Sequence, residues 1–110
     1  MRLLLDECLP KDLARELPGH TVKTVPQAGW ASNSNGKLLQ MIADSEKFDV
    51  FVTVDKSLPH QQKTKDLPFA IVVLRVKSNR LIHVSPFAAE ILRRLPELQP
   101  GHVYVLSRPA

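Results

Sequence analysis

Short apolar runs alternate along this chain with stretches of helical periodicity, and that alternation restricts the fold more than any other feature. Arg2 to Leu5 is an apolar run that stops at Asp6-Glu7 and reads as a buried strand. Leu9, Leu13 and Leu17 then recur every four residues, with Lys11, Asp12, Arg15 and Glu16 between them. The spacing predicts an amphipathic helix with Pro10 in its first turn and Pro18-Gly19 as its stop. His20 to Val25 alternates and is rich in β-branched residues, which predicts a second strand. A loop rich in Gly, Ser and Asn runs from Pro26 to Gly36. Lys37 to Glu46 then carries Leu38, Leu39, Met41, Ile42 and Ala43 on one broad apolar face, a second helix. Asp49 to Val54 is a third strand that ends at Asp55. Residues 56–68 are polar, with a short helical turn expected from His60 to Lys65. Phe69 to Val76 is almost wholly apolar, the pattern of a strand buried on both faces. Ser85-Pro86 reads as a helix start, with Phe87, Ile91, Leu92 and Leu95 following on one face. Pro100-Gly101 closes that segment, and His102 to Leu106 makes the last strand.

The resulting order, β-α-β-α-β-turn-β-α-β, implies a mainly parallel sheet of about five strands with helices on both faces. The expected fold is therefore a three-layer α/β/α, Rossmann-like domain. Its 110 residues suit a single domain spanning 1–110, and no repeat or linker divides them. An apolar content of 44% is that of a soluble globular protein. No apolar run approaches the ~18–20 residues of a membrane span, and acids interrupt the first apolar run too early for a secretory signal. A cytoplasmic protein with no membrane partner is expected. Cys8 is the only cysteine, which excludes an intrachain disulfide, and no Cys/His cluster has zinc spacing. The net charge of +4 is uneven. Residues 1–50 hold six Lys/Arg against seven Asp/Glu, whereas residues 51–110 hold nine against four. An acidic site beside a basic second half suits a polyanion that must meet metal ions; the plainer reading is solubility charge.

In open α/β sheets, ligands bind beyond the carboxyl ends of the strands where the strand order reverses. The first strand ends at Asp6-Glu7 and the third at Asp55. If those strands are neighbours, the carboxylates converge, and their repulsion is relieved by a divalent cation such as Mg²⁺ or Mn²⁺. The competing reading has each acid capping the element that follows it, where a negative charge favours the helix dipole. Lys56, Lys63, Lys65 and Arg75 are candidates to hold a phosphate backbone as point charges, and Arg80 in the Asn79-Arg80 turn is a further phosphate contact. His60, Gln61 and Gln62 follow Asp55 closely enough to reach the site or a base; otherwise they are exposed loop positions. Trp30 either stacks on a base or closes the core. Cys8 reads as a small buried residue. His20, His83 and His102 fall at strand starts or turns with no evident partner.

Three segments carry a family resemblance: Leu3-Leu4-Leu5-Asp6-Glu7-Cys8-Leu9-Pro10, Gly29-Trp30 with Asn35-Gly36-Lys37-Leu38-Leu39, and Phe48-Asp49-Val50-Phe51-Val52-Thr53-Val54-Asp55. In this order and spacing the chain resembles the small PIN-like, toxin-type proteins related to VapC ribonucleases. Gln61-Gln62, the Ile71 to Arg75 strand with Ser78-Asn79-Arg80, and Pro100-Gly101 extend the resemblance over nearly the whole chain. It implies strand order 3-2-1-4-5, a carboxylate cluster holding Mg²⁺ or Mn²⁺, and metal-assisted hydrolysis of RNA. It also implies a small cognate antitoxin as protein partner. Position by position, it makes Asp6 the central metal ligand and Asp55 the acid on the next strand, with Glu7 assisting. Relatives usually carry an acid before the Leu-Leu pair of the second helix. Here that position is Lys37, which cannot ligate a metal while protonated but could neutralise a carboxylate or contact phosphate. Asn35 is the nearest oxygen-bearing substitute. Asp66, the only acid between Asp55 and Glu90, precedes its strand rather than following it. Two acids are well placed where a full nuclease has three or four.

The leading expectation is thus a metal-dependent endoribonuclease acting at Asp6 and Asp55. The alternative, favoured by Lys37, is a catalytically degenerate PIN-like module that binds RNA or a protein partner. A phosphorylation receiver domain would also want Asp6-Glu7, Asp55 and a later lysine such as Lys77. Lys77 follows the fourth strand, however, and no Lys-Pro follows the last. The apolar strand from His102 to Leu106, if it lies at an edge, suits a homodimer.

Overall fold

Each predicted strand forms, and all five lie in one sheet. The computed structural model describes residues 1–107. The strands β1 (Arg2–Leu5), β2 (Thr21–Thr24), β3 (Val50–Thr53), β4 (Ala70–Arg75) and β5 (Val103–Ser107) are all parallel, in the order β2-β1-β3-β4-β5. This corrects the order 3-2-1-4-5 that the family resemblance implied. The reason is burial. β1, β3 and β4 are nearly continuous apolar runs, and all four residues of β3 are buried. Only interior positions cover such strands on both faces. The two strands with exposed alternate residues, β2 and β5, take the edges. An order 3-2-1-4-5 would strand Val50, Phe51 and Val52 at an edge.

β1 therefore pairs with β3, with Leu3, Leu4 and Leu5 opposite Val50, Phe51 and Val52. Arg2 pins this pairing at the amino edge. Its backbone N–H and guanidinium both donate to the Asp49 carboxylate, at 2.8–3.3 Å.

Strand alternation sorts the apolar side chains into two layers. Leu3, Leu5, Val50, Val52, Val72 and Leu74 pack on one side with Leu9, Leu13, Leu17, Phe87 and Ile91. Leu4, Phe51, Ile71 and Val73 pack on the other with Leu38, Leu39 and Ile42. The second of these layers is built on α1 (Asn35–Ser45), whose cap Ser34 accepts a hydrogen bond from Lys37 N. The architecture is the expected three-layer α/β/α sandwich.

The first predicted helix is instead a 3-10 segment, Lys11–Glu16. Leu13 N–H reaches Pro10 O and Leu17 N–H reaches Ala14 O, both three residues back. Of the apolar repeat only Leu13 lies within this segment; Leu9 and Leu17 flank it, and all three are buried. The turn expected at His60 to Lys65 forms earlier, as α2 (Leu58–Gln61). Ser85-Pro86 is not a helix start. It lies within a helical run that begins with α3 (Leu81–Val84), passes through a 3-10 turn, and continues as α4 (Ala88–Arg94). The Ser85 hydroxyl donates to the Glu16 carboxylate instead of capping. No helix among the described residues is long and apolar enough to cross a membrane.

Candidate functional site

The strand order reverses between β1 and β3, so the carboxyl ends of these two strands flank the switch point of the sheet. Asp6 N–H donates to Val52 O at 2.9 Å, which carries the β1–β3 ladder one residue past the strand and fixes Asp6 at the edge. Its side chain shares the α1 face with Leu4. The residue is 7% exposed. One carboxylate oxygen accepts from Glu7 N at 2.8 Å and the other from Thr53 Oγ1 at 2.7 Å. The wholly buried Thr53 hydroxyl also accepts from Asp55 N at 3.1 Å. A single hydroxyl thus ties the Asp6 carboxylate to the backbone of Asp55.

Asp55 is held from both sides. Its Oδ1 accepts from Ser57 N at 3.0 Å and Ser57 Oγ at 2.6 Å, and its Oδ2 accepts from Asn35 Nδ2 at 2.9 Å. The Ser57 contacts are a local turn that leads into α2, so part of the capping role weighed for this acid is real. For Asp6 it is not: the 3-10 segment that follows has Pro10 at its cap and no side-chain cap bond.

The two carboxyl groups are pushed in opposite directions. Burial raises the Asp6 pKa above the usual carboxylate range, against the lowering effect of Thr53 and Glu7 N–H. The Ser57 hydroxyl, opposed by some burial and helped by Asn35, holds Asp55 below that range. Asp6 is therefore a buried carboxylate that no cationic side chain neutralises among the described residues.

The donor set is hard oxygen: two carboxylates, the Thr53 hydroxyl and the Asn35 amide, whose oxygen and nitrogen exchange by a simple flip. Such donors match Mg²⁺ or Mn²⁺, which commonly take one or two carboxylates and complete their shell with water and phosphate oxygens. No group of three or more His, Cys, Asp or Glu side chains among the described residues is arranged to hold a metal. The fit is to a two-carboxylate site and not to a three-acid cage.

Several predicted site residues lie elsewhere. Glu7 is exposed and its carboxylate accepts from Ser32 N at 3.1 and 3.4 Å, so it braces the β2–α1 loop and not the acid pair. It lies in the turn that Leu9 N–H closes on Asp6 O at 2.9 Å. Lys37 is exposed. It stands two residues after Asn35, about 200° around the helix, so while Asn35 meets Asp55, Lys37 faces away. It forms no ion pair among the described residues; Asn35 is the residue that contacts Asp55.

Lys56, His60 and Arg75 do come together, in a cavity that neither acid lines. They line a cavity of ≈ 480 Å³ with Pro59, Val73, Val103 and Val105. Lys56 and Arg75 line a further one of ≈ 540 Å³ with Val76, Lys77 and Ser107. Lys63, Arg80 and Gln61 are exposed and line neither. Trp30 packs edge-on against Phe48, ring centres 5.9 Å apart, and closes the core.

Sequence reasoning missed Thr53 and Ser57, which hold the carboxylates, and the contact between Ser78 and His83. A signal for Thr53 was present: a hydroxyl inside the apolar run Val-Phe-Val-Thr-Val must find a partner when buried. Comparison with protein-family models, with curated proteins and with solved structures found no match for this chain.

Proposed function

We propose that this chain is a Mg²⁺- or Mn²⁺-dependent endoribonuclease of the PIN-like type, acting in the cytoplasm as the toxin of a toxin–antitoxin pair. The observation that carries the reading is the Asp6–Thr53–Asp55 network at the switch point, with Asp6 buried and without a countercharge. Asp6 and Asp55 would hold the ion, and the Asn35 amide oxygen is the third donor within reach once the amide turns. When bound, the ion supplies an activated water and neutralises charge on the phosphodiester. The chain's own residues do the rest. Thr53 and Glu7 N–H orient the Asp6 carboxylate, and Ser57 and Asn35 orient that of Asp55. Lys56 and Arg75 hold flanking phosphates along the neighbouring edge. The toxin role and the antitoxin partner rest on the sequence resemblance alone.

The test is cleavage of a mixed RNA pool with and without Mn²⁺, by the wild type and by Asp6→Asn. Metal-dependent cleavage that disappears in the variant supports the reading; cleavage unchanged in the variant sinks it. A second reading, a degenerate module that binds RNA or a protein partner, is favoured by the outward-facing Lys37 and by Glu7 bound to Ser32. It predicts no cleavage and no rise in melting temperature on adding Mn²⁺.

A further inference from the structure

A second polar cluster, which neither acid joins, shares Arg75 with the cavities that Lys56 lines. Beyond the end of β4 lies a cavity of ≈ 240 Å³ lined by Arg75, Val76, Lys77, His83 and Phe87. Phe87 belongs to the layer under α3 and α4, whereas Asp6 and Thr53 lie on the α1 side. No acidic side chain lines this cavity, and neither Arg75 nor Lys77 forms an ion pair among the described residues. The His83 ring is set by a short relay. Arg80 N–H donates to Ser78 Oγ at 3.2 Å, and Ser78 Oγ lies 2.5 Å from His83 Nδ1. The Ser78 hydroxyl has one proton and two lone pairs, so beside the Arg80 N–H it can either donate to Nδ1 or accept from Nδ1–H. The contact occupies Nδ1 and leaves Nε2 as the ring nitrogen free for a ligand.

We propose that this cavity binds the dianion of a phosphate monoester. Arg75 and Lys77 supply the charge, and His83 Nε2 supplies a directed hydrogen bond. Donors from the strand end and from α3 suit a tetrahedral group with three terminal oxygens better than a planar carboxylate. The cavity is below the ~300–1,000 Å³ of sites for drug-sized ligands. It therefore suits the phosphoryl group and the sugar that carries it, against Val76 and Phe87, not a whole nucleotide. The ligand chemistry is shared by the phosphorylated end of a nucleic acid strand and by a sugar phosphate. The site does not depend on whether Asp6 and Asp55 cut RNA.

The test is titration of inorganic phosphate and ribose 5-phosphate into the Asp6→Asn protein, followed by amide NMR shifts. Saturable shifts centred on Lys77, Ser78 and His83 are expected. They should weaken by at least ~10-fold in Arg75→Gln, which removes a charge-assisted bond. They should also weaken in Ser78→Ala, which releases the ring without removing a charge. No saturable shift, or binding unchanged in both variants, would overturn the proposal. Short RNAs with a 5′-phosphate or a 5′-hydroxyl then separate the sources. A phosphorylated RNA that binds more tightly than both ribose 5-phosphate and its hydroxyl counterpart assigns the pocket to strand ends. Equal binding of ribose 5-phosphate and the phosphorylated RNA assigns it to sugar phosphates. Equal binding of the two RNAs with no response to ribose 5-phosphate again overturns the proposal.

Discussion

Thr53→Val keeps the β-branched shape of a fully buried side chain and deletes one hydroxyl. That hydroxyl donates to the Asp6 carboxylate at 2.7 Å and accepts from Asp55 N at 3.1 Å. A bond to an ionised group contributes ~1.5–3 kcal/mol and a neutral one ~0.5–1.5 kcal/mol, while the added methyl returns up to ~0.8 kcal/mol. The expected net loss at pH 7 is about 2–3 kcal/mol, or roughly 8–12 °C in melting temperature for a chain of this size. The pH dependence is the sharper test. Burial lifts the folded-state pKa of Asp6 above its unfolded value of ~3.9, so the stability tied to this group is full below that value. It is lost as pH rises through the folded pKa. The Thr53 bond holds the folded pKa down; without it the pKa climbs further and the variant loses more stability on the way to neutrality. Urea unfolding of both proteins from pH 4 to pH 7 should show a gap that widens with pH. The shifts of Asp49 and Asp55 operate in both proteins and largely cancel. A gap that is constant or that narrows would refute the claim that Thr53 serves the charged form of Asp6.

Asn35→Asp removes the amide bond to Asp55 and sets two carboxylates against each other; without metal it should cost about 1–2 kcal/mol at neutral pH. With Mn²⁺ present its melting temperature should rise by more than that of the wild type, because the third carboxylate then has an ion to face. Gly101→Ala should be severe, about 2–4 kcal/mol by denaturant midpoint. Gly101 has φ +81°, and a Cβ there would lie 2.3 Å from the Lys65 carbonyl oxygen. Gly19→Ala is the matched comparison: at φ +84° with open space around it, only backbone strain of ~1 kcal/mol applies.

The strands were legible because their apolar runs are short, clean and punctuated by acids or Pro-Gly. The strand order was legible too, in principle: Val50 to Val54 is apolar apart from Thr53, and a run of that kind belongs inside a sheet. The resemblance pointed elsewhere, and burial decided. The first helix was misread because Leu9, Leu13 and Leu17 are spaced for an α-helix, whereas only Leu13 lies within the 3-10 segment and Leu9 and Leu17 reach the core from the residues that flank it. Ser85-Pro86 has the chemistry of a helix start, but the hydroxyl found Glu16, sixty-nine residues away, a contact no local pattern encodes. At the site, Asp6 and Asp55 were legible as strand-end acids on runs that could be neighbours. What was not legible was rotation about α1. Asn35 and Lys37 are two residues apart in sequence and nearly opposite on the helix, so the one that faces Asp55 follows from how Leu38, Leu39 and Ile42 seat against the sheet.

The central claim is that Asp6 and Asp55 share one divalent ion. Mn²⁺ binding to the wild type, Asp6→Asn and Asp55→Asn, read from the electron paramagnetic resonance of the free ion, tests it most directly. One saturable ion per chain is expected, weakened by at least ~10-fold in each variant, the lower end of what even outer-shell substitutions cost. An absence of saturable binding, or binding that survives both substitutions unchanged, would contradict it.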